Sequence, residues 1–275
     1  MKHSIIFAGS NAYILEYLAQ RSDINILHGI FHKNSGDFSK FIAICRKYSL
    51  KHNIITSNKQ ILGITKVIDT PVLGISAGFE ILSKEVCAWP KKGFINIHPS
   101  YLPFYKGANP YYHMLINNEK QGGVSIHQVT QDIDGGKIFC RSKYPILLQD
   151  DISDLIQKSN RLAKMLLDKY LIKIIDDKLK PIRNSKGTKF PPVKTRQWAD
   201  LTMPPQRIYN LVRSQTIYGG CYIILNNRRV LVKKAVLIKR AGKCKCSFGR
   251  GRLCLAFDNR YNMLLTIERM DNGIR

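Results

Sequence analysis

Ser4-Ile5-Ile6-Phe7-Ala8-Gly9-Ser10-Asn11 runs directly into Ala12-Tyr13-Ile14-Leu15-Glu16-Tyr17-Leu18-Ala19-Gln20. The first five residues are mostly apolar and read as a buried strand. From Ala12 onward, Ile14, Leu15, Tyr17 and Leu18 fall at helical spacing. Gly9 to Asn11 form the tight loop between them, with Ser10 or Asn11 available as the helix cap. The following stretches repeat this strand–loop–helix start. Ile24–Phe31 is a second apolar run, and Phe38–Tyr48 carries Phe38, Phe41, Ile42, Ile44, Cys45 and Tyr48 at helical spacing. Asn53–Thr56 and Thr70–Ile75 read as short strands, Leu82–Val86 as a short helix and Gly93–His98 as another strand. Strands alternating with helices predict an α/β fold with a Rossmann-like, doubly wound, mostly parallel sheet.

Further along, Gly123–Val129 alternates like a strand, and Asp151–Ile175 has the pattern of a long amphipathic helix. The composition then shifts. Lys186–Thr195, with Gly187, Pro191 and Pro192, reads as a linker. Pro204 and Pro205 open a short helix, Gln206–Ser214. Cys221–Leu225, Arg229–Ile238, Arg252–Phe257 and Met263–Glu268 read as strands separated by turns. The expected organisation is a first domain over 1–185 and a smaller, mainly β C-terminal domain over 195–275, built as an antiparallel barrel or sheet.

With 44% hydrophobic and 23% charged residues, the 275-residue chain has globular composition, and disordered and fibrous classes are excluded. No apolar run approaches the roughly 20 residues that span a bilayer. The apolar start reads as a first strand rather than a signal peptide, so a cytoplasmic protein without a membrane partner is expected. Seven scattered cysteines argue for reduced thiols. The Cys244-x-Cys246 pair followed by Cys254 lacks a fourth ligand and the usual spacing, so no metal is expected. The net charge of +25 is uneven: residues 181–275 hold 20 Lys/Arg against 4 Asp/Glu. That asymmetry suits a polyanion such as RNA or a nucleotide-linked substrate. A lysine-rich proteome with a solvated face gives the same numbers.

The chemistry is concentrated in Phe94-Ile95-Asn96-Ile97-His98-Pro99-Ser100-Tyr101-Leu102-Pro103-Phe104-Tyr105-Lys106-Gly107. Strand alternation sends Ile95 and Ile97 to one face and Asn96 and His98 to the other. Two polar groups thus stand side by side where a parallel strand ends, the place where open α/β sheets bind ligands. Taken alone, the pair could equally be ordinary strand-end polar residues. Downstream, Thr130-Gln131-Asp132-Ile133-Asp134-Gly135-Gly136 puts two carboxylates in a Gly-terminated loop, with Asp134 36 residues after His98. An aspartate beside a histidine can raise its proton affinity and fix its tautomer. An asparagine amide can donate to a developing oxyanion. Together they suggest proton-shuttling acyl transfer without a protein nucleophile. One His and one Asp are too few for a metal. His127 reads as a structural or pocket-edge residue on its strand, Trp89 as packing near the Gly78 loop and Trp198 as packing at the domain junction.

The pattern Asn96-x-His98-Pro99-Ser100-x-Leu102-Pro103-x-x-x-Gly107, followed by Asp132-x-Asp134-Gly135-Gly136, resembles the folate-dependent formyltransferases. The resemblance covers about 1–180 well and continues more loosely through Gln197–Gly220. It implies that Asn96, His98 and Asp134 take the catalytic positions and that the co-substrate is 10-formyltetrahydrofolate. His98 would accept the proton of an attacking primary amine, Asn96 would steady the oxyanion, and Asp134 would orient His98. The resemblance also assigns Gly78, Phe79, Glu80, Ile81 and Leu82 to the pterin side, with Thr130, Gln131, Asp132 and Ile133 closing over the same pocket.

Within the family, the Gly107-x-Asn109-Pro110-Tyr111-Tyr112 stretch looks like the sugar N-formyltransferases. The tRNA-directed members are similar but longer. They carry a basic loop where this chain has His32-Lys33-Asn34-Ser35-Gly36-Asp37, and Arg-Gly-Ala-Ala-Pro where it has Lys106-Gly107-Ala108-Asn109-Pro110. The similarity implies a nucleotide-linked amino sugar as substrate, a dimer as in related sugar-modifying enzymes, and a place in lipopolysaccharide O-antigen assembly. Tyr105, Lys106, Asn109, Tyr112 and Asn11 are the substrate-side candidates, with a helix-cap role as the alternative for Asn11. The basic C-terminal third keeps methionyl-tRNA formyltransferase open as an alternative. A non-catalytic folate- or RNA-binding homologue is the other.

Overall fold

The computed structural model describes residues 2–33, 38–79, 82–193, 197–225, 228–239, 248–249 and 251–270. The strands are β1 (His3–Gly9), β2 (Ile24–His32), β3 (His52–Ile55), β4 (Leu73–Ala77), β5 (Phe94–His98), β6 (Lys106–Gly107), β7 (Gln121–Gln128), β8 (Ile138–Pro145), β9 (Lys189–Phe190), β10 (Trp198–Asp200), β11 (Cys221–Leu225), β12 (Arg228–Lys239), β13 (Phe248–Gly249), β14 (Arg252–Ala256) and β15 (Tyr261–Met270). The helices are α1 (Ala12–Gln20), α2 (Phe38–Lys47), α3 (Lys59–Thr65), α4 (Lys84–Ala88), α5 (Pro110–Ile116), α6 (Ile152–Ile175) and α7 (Pro205–Ser214).

The chain divides into two compact units that are not consecutive blocks. The first comprises Met1–Gly107, Gly123–Tyr144 and Ser159–Lys189, and the second Ala108–Gly122, Pro145–Lys158 and Phe190–Arg275. The first unit is built on a seven-stranded sheet in the order β3-β2-β1-β4-β5-β7-β8. From β3 through β5 every pairing is parallel, and β7 then runs antiparallel to β5. β1 and β4 are buried almost throughout, so they read as continuous apolar runs rather than alternating ones. They approach so closely that a Cβ on Gly9 would stand 2.1 Å from the Ala77 carbonyl oxygen. Asn11 caps α1 by accepting from the Ile14 N–H at 3.1 Å, and its own amide donates to Asn160 Oδ1 at 2.9 Å. One apolar cluster joins Ile6, Ala8, Ile30, Ile55, Ile61, Ile64, Leu82, Val86 and Phe94, with Phe79, Cys87, Trp89 and Val129 packed partly buried against it.

The second unit holds a six-stranded sheet, β10-β11-β12-β15-β14-β13, antiparallel except for the β10–β11 pair. Its core joins Ile208, Tyr209, Leu211 and Val212 of α7 to Cys221, Ile223, Val230, Val232, Met263 and Leu265 of the sheet, and includes Tyr112 of α5. Arg213 is 3% exposed there. Its guanidinium donates to Asn210 Oδ1 and to the carbonyls of Leu147, Leu148 and Asp150 at 3.0–3.3 Å. Trp198 is 41% exposed, with the Arg229 guanidinium 4.5 Å from its ring centroid.

The fold is therefore α/β, a large parallel-rich sheet accompanied by a separate, mainly β C-terminal sheet. Short elements depart from the sequence expectation. The fourth strand runs Leu73–Ala77 rather than Thr70–Ile75, and α3, α5, β8 and β10 were not anticipated. No helix among the described residues is long and apolar enough to cross a membrane. Among those residues no group of three or more His, Cys, Asp or Glu could hold a metal ion. Cys244 and Cys246 lie outside the described residues.

Candidate functional site

The site forms where β5 ends. Asn96 and His98 alternate onto one face, and β7 lays His127 directly opposite Asn96. The turn after β7 then brings Asp134 to all three. Asn96 Nδ2 donates to Asp134 Oδ1 at 3.3 Å; His98 Nδ1 is 3.5 Å from Asp134 Oδ2, and His127 Nε2 is 3.4 Å from Oδ1. The structure thus brings together the three residues that the sequence singled out, and adds a fourth. His127, which the sequence places only as a structural or pocket-edge residue, joins the group itself: beyond Asp134, its Nε2 lies 3.2 Å from the Asn96 amide nitrogen.

The loop beyond β5 is held tightly enough to keep this geometry. Ser125 Oγ donates to the Ser100 carbonyl at 2.8 Å and accepts from the Leu102 N–H at 3.0 Å, while Ser100 Oγ donates to the Phe104 carbonyl. The Tyr105 carbonyl is thereby delivered to His98 Nε2 at 2.8 Å, and the Gly107 N–H to Asp134 Oδ2 at 2.8 Å. Asp134 itself adopts φ +48°, a left-handed conformation that costs a non-glycine residue about 1 kcal/mol or more.

These contacts decide where the protons sit. A carbonyl only accepts, so His98 carries its proton on Nε2 and turns the Nδ1 lone pair toward Asp134. His127 is 2.9 Å from the Gln128 carbonyl through Nδ1, and its Nε2 lies within reach of both the Asn96 amide and Asp134 Oδ1. His98 is 4% exposed. Burial pushes its imidazole below the ordinary value, partly opposed by the Asp134 carboxylate. Burial also works against ionising Asp134, but His127, the charge His98 can carry and the Gly107 N–H outweigh it and hold the carboxyl well below the usual range. At neutral pH the resting site is a carboxylate beside a neutral histidine. A proton arriving at Nδ1 would point straight at that carboxylate.

The other sequence candidates are placed as follows. Gly78 is fastened to the first loop, its carbonyl accepting from Ser10 Oγ at 2.8 Å. Phe79 is partly buried and Leu82 fully buried in the cluster beneath the sheet ends. Thr130, Gln131 and Asp132 form an exposed turn, closed by the Thr130 hydroxyl donating to the Asp132 carbonyl, and Ile133 is half-buried. Glu80 and Ile81 lie outside the described residues. The Trp89 indole N–H is buried near Phe79 in the same cluster and has no hydrogen-bond partner. A flat heterocycle carrying acceptors fits such a set, apolar walls with an unanswered donor.

On the substrate side, Tyr105 sits at φ +60°, and the structure uses its main chain. Lys106 Nζ donates to the Ser185 carbonyl at 3.2 Å. Asn109, in the second unit, donates to the Tyr218 hydroxyl and accepts from the Val193 N–H. Tyr112 is 7% exposed in that unit's core.

Fold and site define a class: an α/β protein whose sheet ends in a buried histidine and a half-buried asparagine, both facing an ionised aspartate. Residues 33–171, just over half of the chain, match the formyl transferase family, and the chain belongs to it. Its sequence is 28% identical over 196 residues to the methionyl-tRNA formyltransferase of Caldanaerobacter subterraneus, covering 70% of this chain and 63% of that protein. The Enterococcus faecalis methionyl-tRNA formyltransferase is 34% identical over 143 residues, covering 50% and 46%. The chain thus spans less than two thirds of these curated relatives. In fold it resembles the N-formyltransferase of Helicobacter canadensis, solved with folinic acid and dTDP-3-aminofucose, with a TM-score of 0.74 at 18% identity over 98% of this chain and 100% of that one. A sugar 3N-formyl transferase solved with dTDP and 5-N-formyl-THF gives 0.70 at 19% identity over 97% and 98%.

Proposed function

We propose that this chain is an N-formyltransferase that moves a formyl group from 10-formyltetrahydrofolate to the primary amine of a nucleotide-linked amino sugar. The observation that carries this reading is the convergence of Asn96, His98 and His127 on Asp134 at 3.3–3.5 Å, in a chain belonging to the formyl transferase family. The bound folate supplies the electrophilic formyl carbon. His98 takes the proton the amine loses, at Nδ1, since Nε2–H is committed to the Tyr105 carbonyl, and returns it to the leaving nitrogen. Asp134 stabilises the imidazolium in between. Asn96, whose amide hydrogens now reach Asp134 and His127 over 3.2–3.3 Å, supplies a donor to the oxygen that gains charge. Phe79, Leu82 and Trp89, with the Gly78 and Thr130–Ile133 main chain, would hold the pterin. Tyr105 and Lys106 are assigned to the substrate side.

The sugar is favoured by the Gly107-x-Asn109-Pro110-Tyr111-Tyr112 stretch and by neighbours in fold that match the chain nearly end to end. A second reading, initiator methionyl-tRNA as substrate, is favoured by the curated relatives and by the 20 Lys/Arg against 4 Asp/Glu in 181–275. One assay separates them: 10-formyltetrahydrofolate is offered with nucleotide-linked 3-amino and 4-amino dideoxy sugars and, in parallel, with initiator methionyl-tRNA. Turnover on a sugar, with KM changing only a few-fold between 50 and 200 mM salt, is the expected result. Turnover on the tRNA alone, with affinity dropping by about 10³-fold or more over that range as counterion release dictates, would overturn the sugar assignment.

A further inference from the structure

Lys186–Thr195 reads in sequence as a linker, yet the segment between α6 and β9 that leads into it is bonded to both loops of the site. We propose that Asn184 is a positioning residue for this site, the side chain that fixes the main chain at Asp134 and so sets the carboxylate beside His98. Its amide nitrogen donates to the Asp134 carbonyl at 2.7 Å and to the Gly136 carbonyl at 3.0 Å. Both amide hydrogens are thus spent on the turn that carries Asp134, while the amide oxygen is buried with no hydrogen-bond partner. Flipping the amide would set that oxygen against two carbonyl oxygens, so only one orientation serves. The hydrogen bonds to Asp134 Oδ1 and Oδ2 from Asn96 and Gly107 hold the carboxylate from one side. Asn184 holds the backbone from the other, at a residue whose φ of +48° needs such support.

The anchoring of Asn184 is built into its neighbours. Ile182 and Ile138 exchange both main-chain hydrogen bonds, at 2.8 and 2.9 Å. Thr188 accepts from the Lys106 N–H through its carbonyl and from the Tyr105 N–H through its hydroxyl, both at 2.9 Å. The Ser185 carbonyl takes the Lys106 ammonium. Between them the chain passes so close to Pro103 that a Cβ on Gly187 would stand 1.9 Å from its carbonyl oxygen. Residues 182–188 therefore brace the turn bearing Asp134 and the loop whose Tyr105 carbonyl holds His98.

The inference rests on Asp134 being the carboxylate of the proposed reaction, but its test does not need the reaction. The full chain is labelled with ¹⁵N-histidine, and the His98 imidazole is titrated by NMR, assigned through His98→Asn. The charged and titratable groups facing His98 are Asp134 and His127, the two rings standing edge to face at 6.1 Å. In Asn184→Ala, the carboxylate loses its fixed place and its pull on the imidazole weakens, so the His98 midpoint falls by about half a pH unit or more. In the same variant kcat drops on the order of tenfold or more, while KM for the formyl donor stays within about threefold. Asn184→Gln, which returns the amide, recovers part of both. If the alanine variant does not fold, Asn184→Ser is read in its place with the same expected shift. A folded variant with an unchanged His98 midpoint overturns the inference. A shifted midpoint in a protein that transfers no formyl group upholds it while discarding the functional reading.

Discussion

His98 and Asp134 manage one proton between them, and each is set for its part by different neighbours. The Tyr105 carbonyl occupies His98 Nε2, leaving Nδ1 as the sole basic atom of that ring, and His127, with the Gly107 N–H, helps keep Asp134 ionised to face it. Asp134→Asn preserves shape and removes the charge, so turnover is expected to fall by about 10²–10⁴-fold while far-UV circular dichroism stays that of the folded chain. The pH profile carries a second sign. His98 must be neutral to accept a proton, and burial holds its folded value below the ordinary 6.5 or so, which puts the acid limb of kcat/KM below that pH. The carboxylate opposes that depression, so in Asp134→Asn the limb moves to lower pH still; a limb moving upward would contradict this account. Asn96 and His98 were legible because a period of two is enough to set them side by side. His127 was not, since its place opposite Asn96 depends on β7 turning back antiparallel to β5, which one strand's pattern does not record. Tyr105 reads in sequence as a substrate-side candidate, and no sequence pattern shows that its main-chain carbonyl and N–H bond His98 and Thr188.

At the scale of elements, α7 shows how a buried charge can organise neutral backbone. Arg213 gathers the carbonyls of Leu147, Leu148 and Asp150 onto the helix, and its guanidinium also lies over the Tyr209 ring. Arg213→Ala leaves those acceptors facing an empty, dry space. A loss of about 3 kcal/mol is expected, read as a lower urea midpoint. The elements the sequence revealed are those whose length or continuous apolar character overrides local detail: β1, β2, α2, α6, β11 and β12 lie within a few residues of their expected bounds. The missed elements are short or mixed. α3 is seven residues long and contains Gly63, β8 interrupts its apolar residues with Arg141, Ser142 and Lys143, and β10 has three residues. Their stability comes from neighbours rather than from their own pattern.

For the molecule as a whole, the composition shift near residue 190 marks where the last part of the second unit begins, and no sequence signal marks its two earlier parts. Ala108–Gly122 and Pro145–Lys158 belong to that unit although they precede the shift. Tyr112 and Ile116 from the first part and Leu148 from the second contribute to its apolar core. A fragment ending at Lys189 therefore keeps these side chains and loses what they pack against. It is expected to bind a hydrophobic dye such as ANS and to aggregate, whereas the full chain does neither.

That interleaving also bears on how such a protein can be inherited and made. A gene joined or recombined at codon 190 would deliver a C-terminal piece lacking two strips of its own core, so the basic tail cannot travel between proteins as an independent cassette. On the ribosome, likewise, the strips around Tyr112 and Leu148 emerge long before β11 to β15 exist, and must wait, uncovered, until the last third of the message has been read.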